Sequence, residues 1–200
     1  MRRTGLFSIV VLACTVAAAR ADFTANTSVY PDITTFGVSL NYDADLDLFT
    51  ATASGFFAYN DGVNVTPIMN GVFNITATID DTGTATAGTF SLEGDLDLGG
   101  GTLGPNLLSG HLLDFVTHSG DGFNFLFQIT SGDLKSIYGS HVVVILNGGG
   151  SSFAGLWTED FGADQTGLAD TLMMVPSPSS ALLALIGGAM LGFVRRRQAA

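Results

Sequence analysis

The stretch "FNFLFQIT", Phe123 to Thr130, sets Phe123, Phe125, Phe127 and Ile129 on one side of the chain, with Asn124 and Gln128 among the residues opposite. That is a period of two, which an extended strand has and a helix lacks. "VFNITATI" repeats the pattern, with Phe73, Ile75, Ala77 and Ile79 alternating with Asn74, Thr76 and Thr78. "VVVILN", Val142 to Asn147, is instead a continuous and largely β-branched run, suited to a strand buried on both faces.

Turn signals separate these runs: "NDG" at Asn60, "DDTG" at Asp80, "GGGTLGPN" at Gly99, "SGDG" at Ser119 and "NGGG" at Asn147. Short strands punctuated by Gly and Asp predict an all-β, antiparallel β-sandwich or barrel-like domain. One short helix is expected at "SGDLKSIYG", with Ser131 as N-cap, Asp133 in the first turn and Gly139 as the stop. Residues 22–174, about 150 of them with thirteen phenylalanines, suffice for one domain with a real core.

Charge divides the chain sharply. Arg2, Arg3 and Arg20 lie at one end and Arg195, Arg196 and Arg197 at the other, leaving Lys135 alone among eighteen carboxylates between Asp22 and Asp170. Such a body repels nucleic acid and other polyanions, because phosphate binding needs clustered Lys and Arg.

The N-terminus has a cationic start, the apolar run "LFSIVVLACTVAAA" and then Ala19-Arg20-Ala21 before Asp22. This is the layout of a secretory signal peptide over residues 1–21, with cleavage after Ala21. A second reading takes "VLAC", ending at Cys14, as a lipoprotein-like box. On the first reading the only cysteine leaves with the signal, so the exported domain has no disulfide or thiol ligand.

Candidate chemistry is sparse. "DADLD" read as a strand sets Asp43, Asp45 and Asp47 on one face at spacings of about 7 Å, a candidate Ca²⁺ site and the only cofactor candidate. The plainer reading is a solvated strand face. Trp157, beside Glu159 and Asp160, is a candidate carbohydrate platform or, more plainly, a core residue. His111, His118 and His141 stand apart and match no catalytic motif, so no catalytic residue is assigned. N-glycosylation sequons begin at Asn26, Asn64 and Asn74.

The C-terminal stretch, residues 175–200, opens on the motif at 175–178, "VPSP". Pro176 and Pro178 hold the chain extended, and Ser179 or Ser180 can cap a helix over 180–194. From Ala181 to Val194 no side chain is polar, so no face of that helix suits water. Fourteen residues rise about 21 Å, short of a hydrocarbon core of about 30 Å, a gap that snorkelling arginines can close. Arg195, Arg196 and Arg197 would form a basic stop on the cytoplasmic side.

This order of prolines, short apolar helix and arginines resembles the PEP-CTERM sorting signal of exported bacterial proteins. Val175, Pro176, Pro178 and Ser179 match the family motif, while Ser177 stands where Glu is usual. The resemblance implies an exosortase-type membrane protease as partner, with the helix held in the inner membrane before processing. It implies a final location at the cell surface or in the extracellular matrix, in association with exopolysaccharide or biofilm. The function expected is thus that of a non-enzymatic exported protein. The alternative is an extracellular carbohydrate- or Ca²⁺-binding module.

Overall fold

The computed structural model describes residues 30–117, 122–148 and 150–173. Among the described residues nine strands form: β1 (Asp32–Asp43), β2 (Leu48–Asn60), β3 (Val65–Ile79), β4 (Ala85–Asp97), β5 (Thr102–Leu103), β6 (Asn106–Thr117), β7 (Gly122–Ser131), β8 (His141–Asn147) and β9 (Phe161–Met173). A single helical turn, α1 (Lys135–Tyr138), lies between β7 and β8. Every pairing is antiparallel, each long strand lies beside its sequence neighbours, and β1 pairs with β9. Eight strands therefore close a barrel, with the two-residue β5 appended to β4. Of the two architectures expected, the chain adopts the barrel, which leaves no long strand edge unpaired.

The period-two stretches supply the inner wall. Phe123, Phe125, Phe127 and Ile129 are buried, as are Phe73, Ile75, Ala77 and Ile79. Val142, Val144 and Leu146 stand opposite Phe127, Phe125 and Phe123 in register and are buried with them. Val143, on the other side of β8, is buried too, which accounts for the unbroken apolar run. The outward side of β7 is mixed: Gln128 is exposed, whereas Asn124 is buried, flanked in register by Val116 and Ile145.

Closure requires curvature, and local irregularities supply it. Register shifts interrupt β1 between Thr35 and Ser39, β2 between Gly55 and Phe57, β3 between Met69 and Val72 and β6 between Leu112 and Asp114. An inserted residue bends its strand and raises the local twist. Gly37 sits at the first of these with φ 65, a conformation that favours glycine. At Gly71 a Cβ would lie 2.5 Å from the Phe57 ring, so this glycine lets the phenyl lie against the backbone.

The hairpins turn on aspartate. Asp61 Oδ1 accepts from the backbone N–H groups of Val63 and Asn64 at 2.8 and 2.7 Å. Those bonds hold its carboxyl below the ordinary carboxylate range. Asp80 Oδ1 accepts from Thr82 and Thr84 N–H, each at 2.9 Å. These are the local side-chain-to-backbone bonds that make "NDG" and "DDTG" turns.

Both barrel ends are plugged. At one end Leu134, just before α1, and Tyr138 within it are buried, and burial holds the Tyr138 phenol protonated well above its ordinary range. The helix is shorter than the sequence predicts. Ser131 ends β7 instead of capping it, and Leu134 occupies the N-cap without a side-chain cap bond. Asp133 is drawn elsewhere, its Oδ2 accepting from Gly104 N–H at 2.7 Å, while Gly139 ends the helix as expected. At the other end, the loop between β8 and β9 folds Phe153 and Trp157 over Tyr42, Phe123 and Phe161.

Asp32 opens β1 with Oδ1 buried and without a hydrogen-bond partner among the described residues. Burial, and after it the charge of Asp170, raises its carboxyl above the ordinary value. The folded chain thus binds this proton more tightly than the unfolded chain. The resulting stabilisation is present below the unfolded pKa and is lost as pH rises through the folded one. Asp32→Asn should therefore melt higher than the unaltered chain at neutral pH. Thermal melts at descending pH should show the gap closing once Asp32 is protonated in both states.

Candidate functional site

The residues that the sequence assigns to processing lie outside the described residues. These are Ala19, Ala21 and Asp22 at the signal junction, Val175, Pro176, Ser177, Pro178 and Ser179 in the motif, and Arg195, Arg196 and Arg197 in the basic stop. The helix expected over 180–194 lies there too. Among the described residues no helix is long and apolar enough to cross a membrane.

The acidic trio is arranged differently from the strand face that its alternation suggests. Asp43 ends β1, and residues 44–47 form the turn into β2, with Asp47 at φ 54. Asp43 Oδ1 accepts from Leu46 N–H at 3.1 Å, so this carboxylate shapes the hairpin. Asp160, from the far loop, accepts from Ala44 N–H at 2.8 Å and ties the turn to the Trp157 plug. Among the described residues no three His, Asp or Glu side chains converge as a cation site; Asp43 closes β1, and Asp45 and Asp47 lie in the turn. Period two misleads because a four-residue turn interrupts it.

Trp157 is 6% exposed and so offers no platform to a sugar. Its ring centroid lies 4.9 Å from Tyr42 and 5.4 Å from Phe161, both in edge-to-face contact. The Tyr42 hydroxyl reaches the carbonyl oxygens of Ile79 and Trp157 at 2.8 and 3.0 Å, fixing the loop over the barrel mouth. The core reading of Trp157 is the one that the structure supports. His111 and His141 flank Gln128 in register across three strands, and His141 Nδ1 lies 2.8 Å from Ser140 Oγ.

What the structure does assemble is a groove of about 390 Å³ on the outer wall of β1, β2 and β3. Gly37, Ser39, Thr52, Ser54, Val72 and Asn74 line it. Three of the polar members belong to a row set by register: Ser39 opposes Thr52, Thr52 opposes Asn74, and Asn74 opposes Ser91, while Ser54 opposes Val72. A second row, Asn41, Thr50, Thr76 and Thr89, runs beside it. Ser39 Oγ donates to Asp164 Oδ1 at 3.0 Å, and Asn74 Nδ2 to Ser91 Oγ at 3.5 Å.

Two aromatic side chains stand on the same wall. Phe36 immediately precedes Gly37 and is 45% exposed, and Phe56 follows Ser54 along β2 and is 57% exposed. Phe56 falls on the outward phase of β2, where Ala51, Ala53, Phe57 and Tyr59 are buried, and Phe36 on that of β1, after buried Ile33 and Thr35 and before the shift at Gly37. The "Thr-Ala-Thr" runs at Thr50 and Thr76 carry the sequence signal for this wall, with alanine inside and threonine outside. Alternation alone does not show that three such strands lie side by side.

No protein-family model matches the chain, and neither a curated protein nor a solved structure matches it.

Proposed function

We propose that this chain is an exported, non-enzymatic surface or extracellular-matrix protein, processed or anchored through its C-terminal segment. The observation that carries this reading is the order of that segment: Val175-Pro176-Ser177-Pro178, an apolar stretch to Val194, then Arg195 to Arg197. A partner of exosortase type would cut near the prolines after the helix had lodged in the membrane. The acidic body fits delivery to an aqueous exterior, where like charge keeps copies apart. Aromatic side chains occupy the barrel interior, so the outer wall and the loops are the surfaces offered to a partner. The outer groove favours a second function at the same location, that of a carbohydrate-binding module.

Mass spectrometry of the native protein tests the processing. The expected mature chain begins at Asp22 and ends upstream of Arg195. A mature chain that keeps Arg195 to Arg197 would identify a retained anchor, and one that keeps Met1 to Ala21 would remove export by this route. Ser177→Glu, which restores the usual motif, should raise the processed fraction.

A further inference from the structure

We propose that the outer wall of β1, β2 and β3 is a glycan-binding face whose ligand is an uncharged polysaccharide. This rests on the extracellular placement proposed above and gives it a ligand and a site.

The groove supplies depth, and the residues lining it match the ligand chemically. Ser39, Thr52, Ser54 and Asn74 present hydroxyl and amide groups, each able to donate and to accept, as sugar hydroxyls require. Register sets these groups about 5 Å apart across the strands and about 7 Å apart along them. A polymer of hydroxylated rings lying across the sheet meets such a lattice repeatedly. Phe36 and Phe56 add half-exposed aromatic side chains on the two strands that carry Gly37 and Ser54, suited to the apolar C–H faces of sugar rings.

Charge selects among polysaccharides. Lys135 is the only cationic Lys or Arg between Asp22 and Asp170, and it belongs to α1 at one barrel end, its Nζ donating to Thr130 O at 2.9 Å. On the wall itself, Asp164 stands beside Ser39. An acidic polymer would thus meet repulsion and no compensating cation. A neutral chain pays neither cost.

Affinity electrophoresis of the full-length chain in mild detergent tests this, with hydroxyethylcellulose, laminarin and dextran as neutral polymers and alginate as an acidic one. At least one neutral polymer should retard the chain, and alginate should not. Phe36→Ala and Phe56→Ala should each weaken retardation about tenfold. Thr52→Arg, which fills the groove from an exposed position, should abolish it. Leu113→Ala, at an exposed position on β6, should leave it unchanged. Circular dichroism melts confirm that the variants stay folded. Retardation by none of the polymers, by alginate alone, or equally in all variants would overturn the proposal. Its failure is distinct from failure of the sorting reading. A chain cut before Arg195 that binds no glycan overturns only the site, and a glycan-binding chain that retains Arg195 to Arg197 overturns only the processing.

Discussion

Phe123→Ala is expected to lower the unfolding free energy by about 4 kcal/mol. Its ring meets five others, at centroid distances of 5.5 Å to Phe49, 6.4 Å to Phe115, 5.3 Å to Phe153, 6.1 Å to Trp157 and 5.9 Å to Phe161. Truncation removes apolar area from the core and opens a cavity that rigid strands on every side cannot collapse to fill. A domain of this size has roughly 5–15 kcal/mol in total, so the loss is a large share of it. Urea unfolding followed by circular dichroism should show an earlier midpoint with an unchanged slope. Leu113→Ala, at a position 51% exposed, should stay within about 0.5 kcal/mol of the unaltered chain. A Phe123→Ala midpoint equal to that of Leu113→Ala would mean that the barrel core is not packed as described.

Trp157→Ala should cost about 3–5 kcal/mol, because the indole closes one mouth of the barrel. It packs against Tyr42, Phe115, Phe123, Phe153 and Phe161, and its backbone carbonyl receives the Tyr42 hydroxyl. The same substitution separates the two readings that the sequence leaves open. A core residue loses stability when truncated, whereas an exposed sugar platform loses binding and leaves the melt unchanged. Denaturation measured beside glycan retardation decides between them, and a stable variant with lost retardation would return Trp157 to the binding site. Phe123 and Trp157 are in contact, so the double variant should lose less than the sum of the single losses, with a coupling of about 0.5–3 kcal/mol.

Strand identity is a local property, and the sequence carries it well. The alternation at Phe123 and at Phe73, and the continuous run at Val142, each mark a strand with the correct buried side chains. The aspartate turns are equally local, since a carboxylate two to four residues from its N–H partners folds back on itself whatever lies beyond. Where a turn and a strand share one alternating pattern, as at Asp43 to Asp47, local reading fails. The helix at "SGDLKSIYG" shortens for a similar reason, because Asp133 bonds to a residue on another connection.

By itself the sequence determined that the body is an antiparallel all-β domain, acidic and free of cysteine after Cys14. It also carries the tail order on which the sorting proposal depends. The tertiary structure alone decided that the strands close into a barrel, because closure depends on β1 meeting β9 across the whole chain. It decided that Trp157 is a plug, since a loop residue's exposure depends on where the loop lands. It also decided that Ser39, Thr52 and Asn74 lie side by side with Phe36 and Phe56. Each strand specifies which of its side chains face outward, but only the pairing register specifies which of them become neighbours.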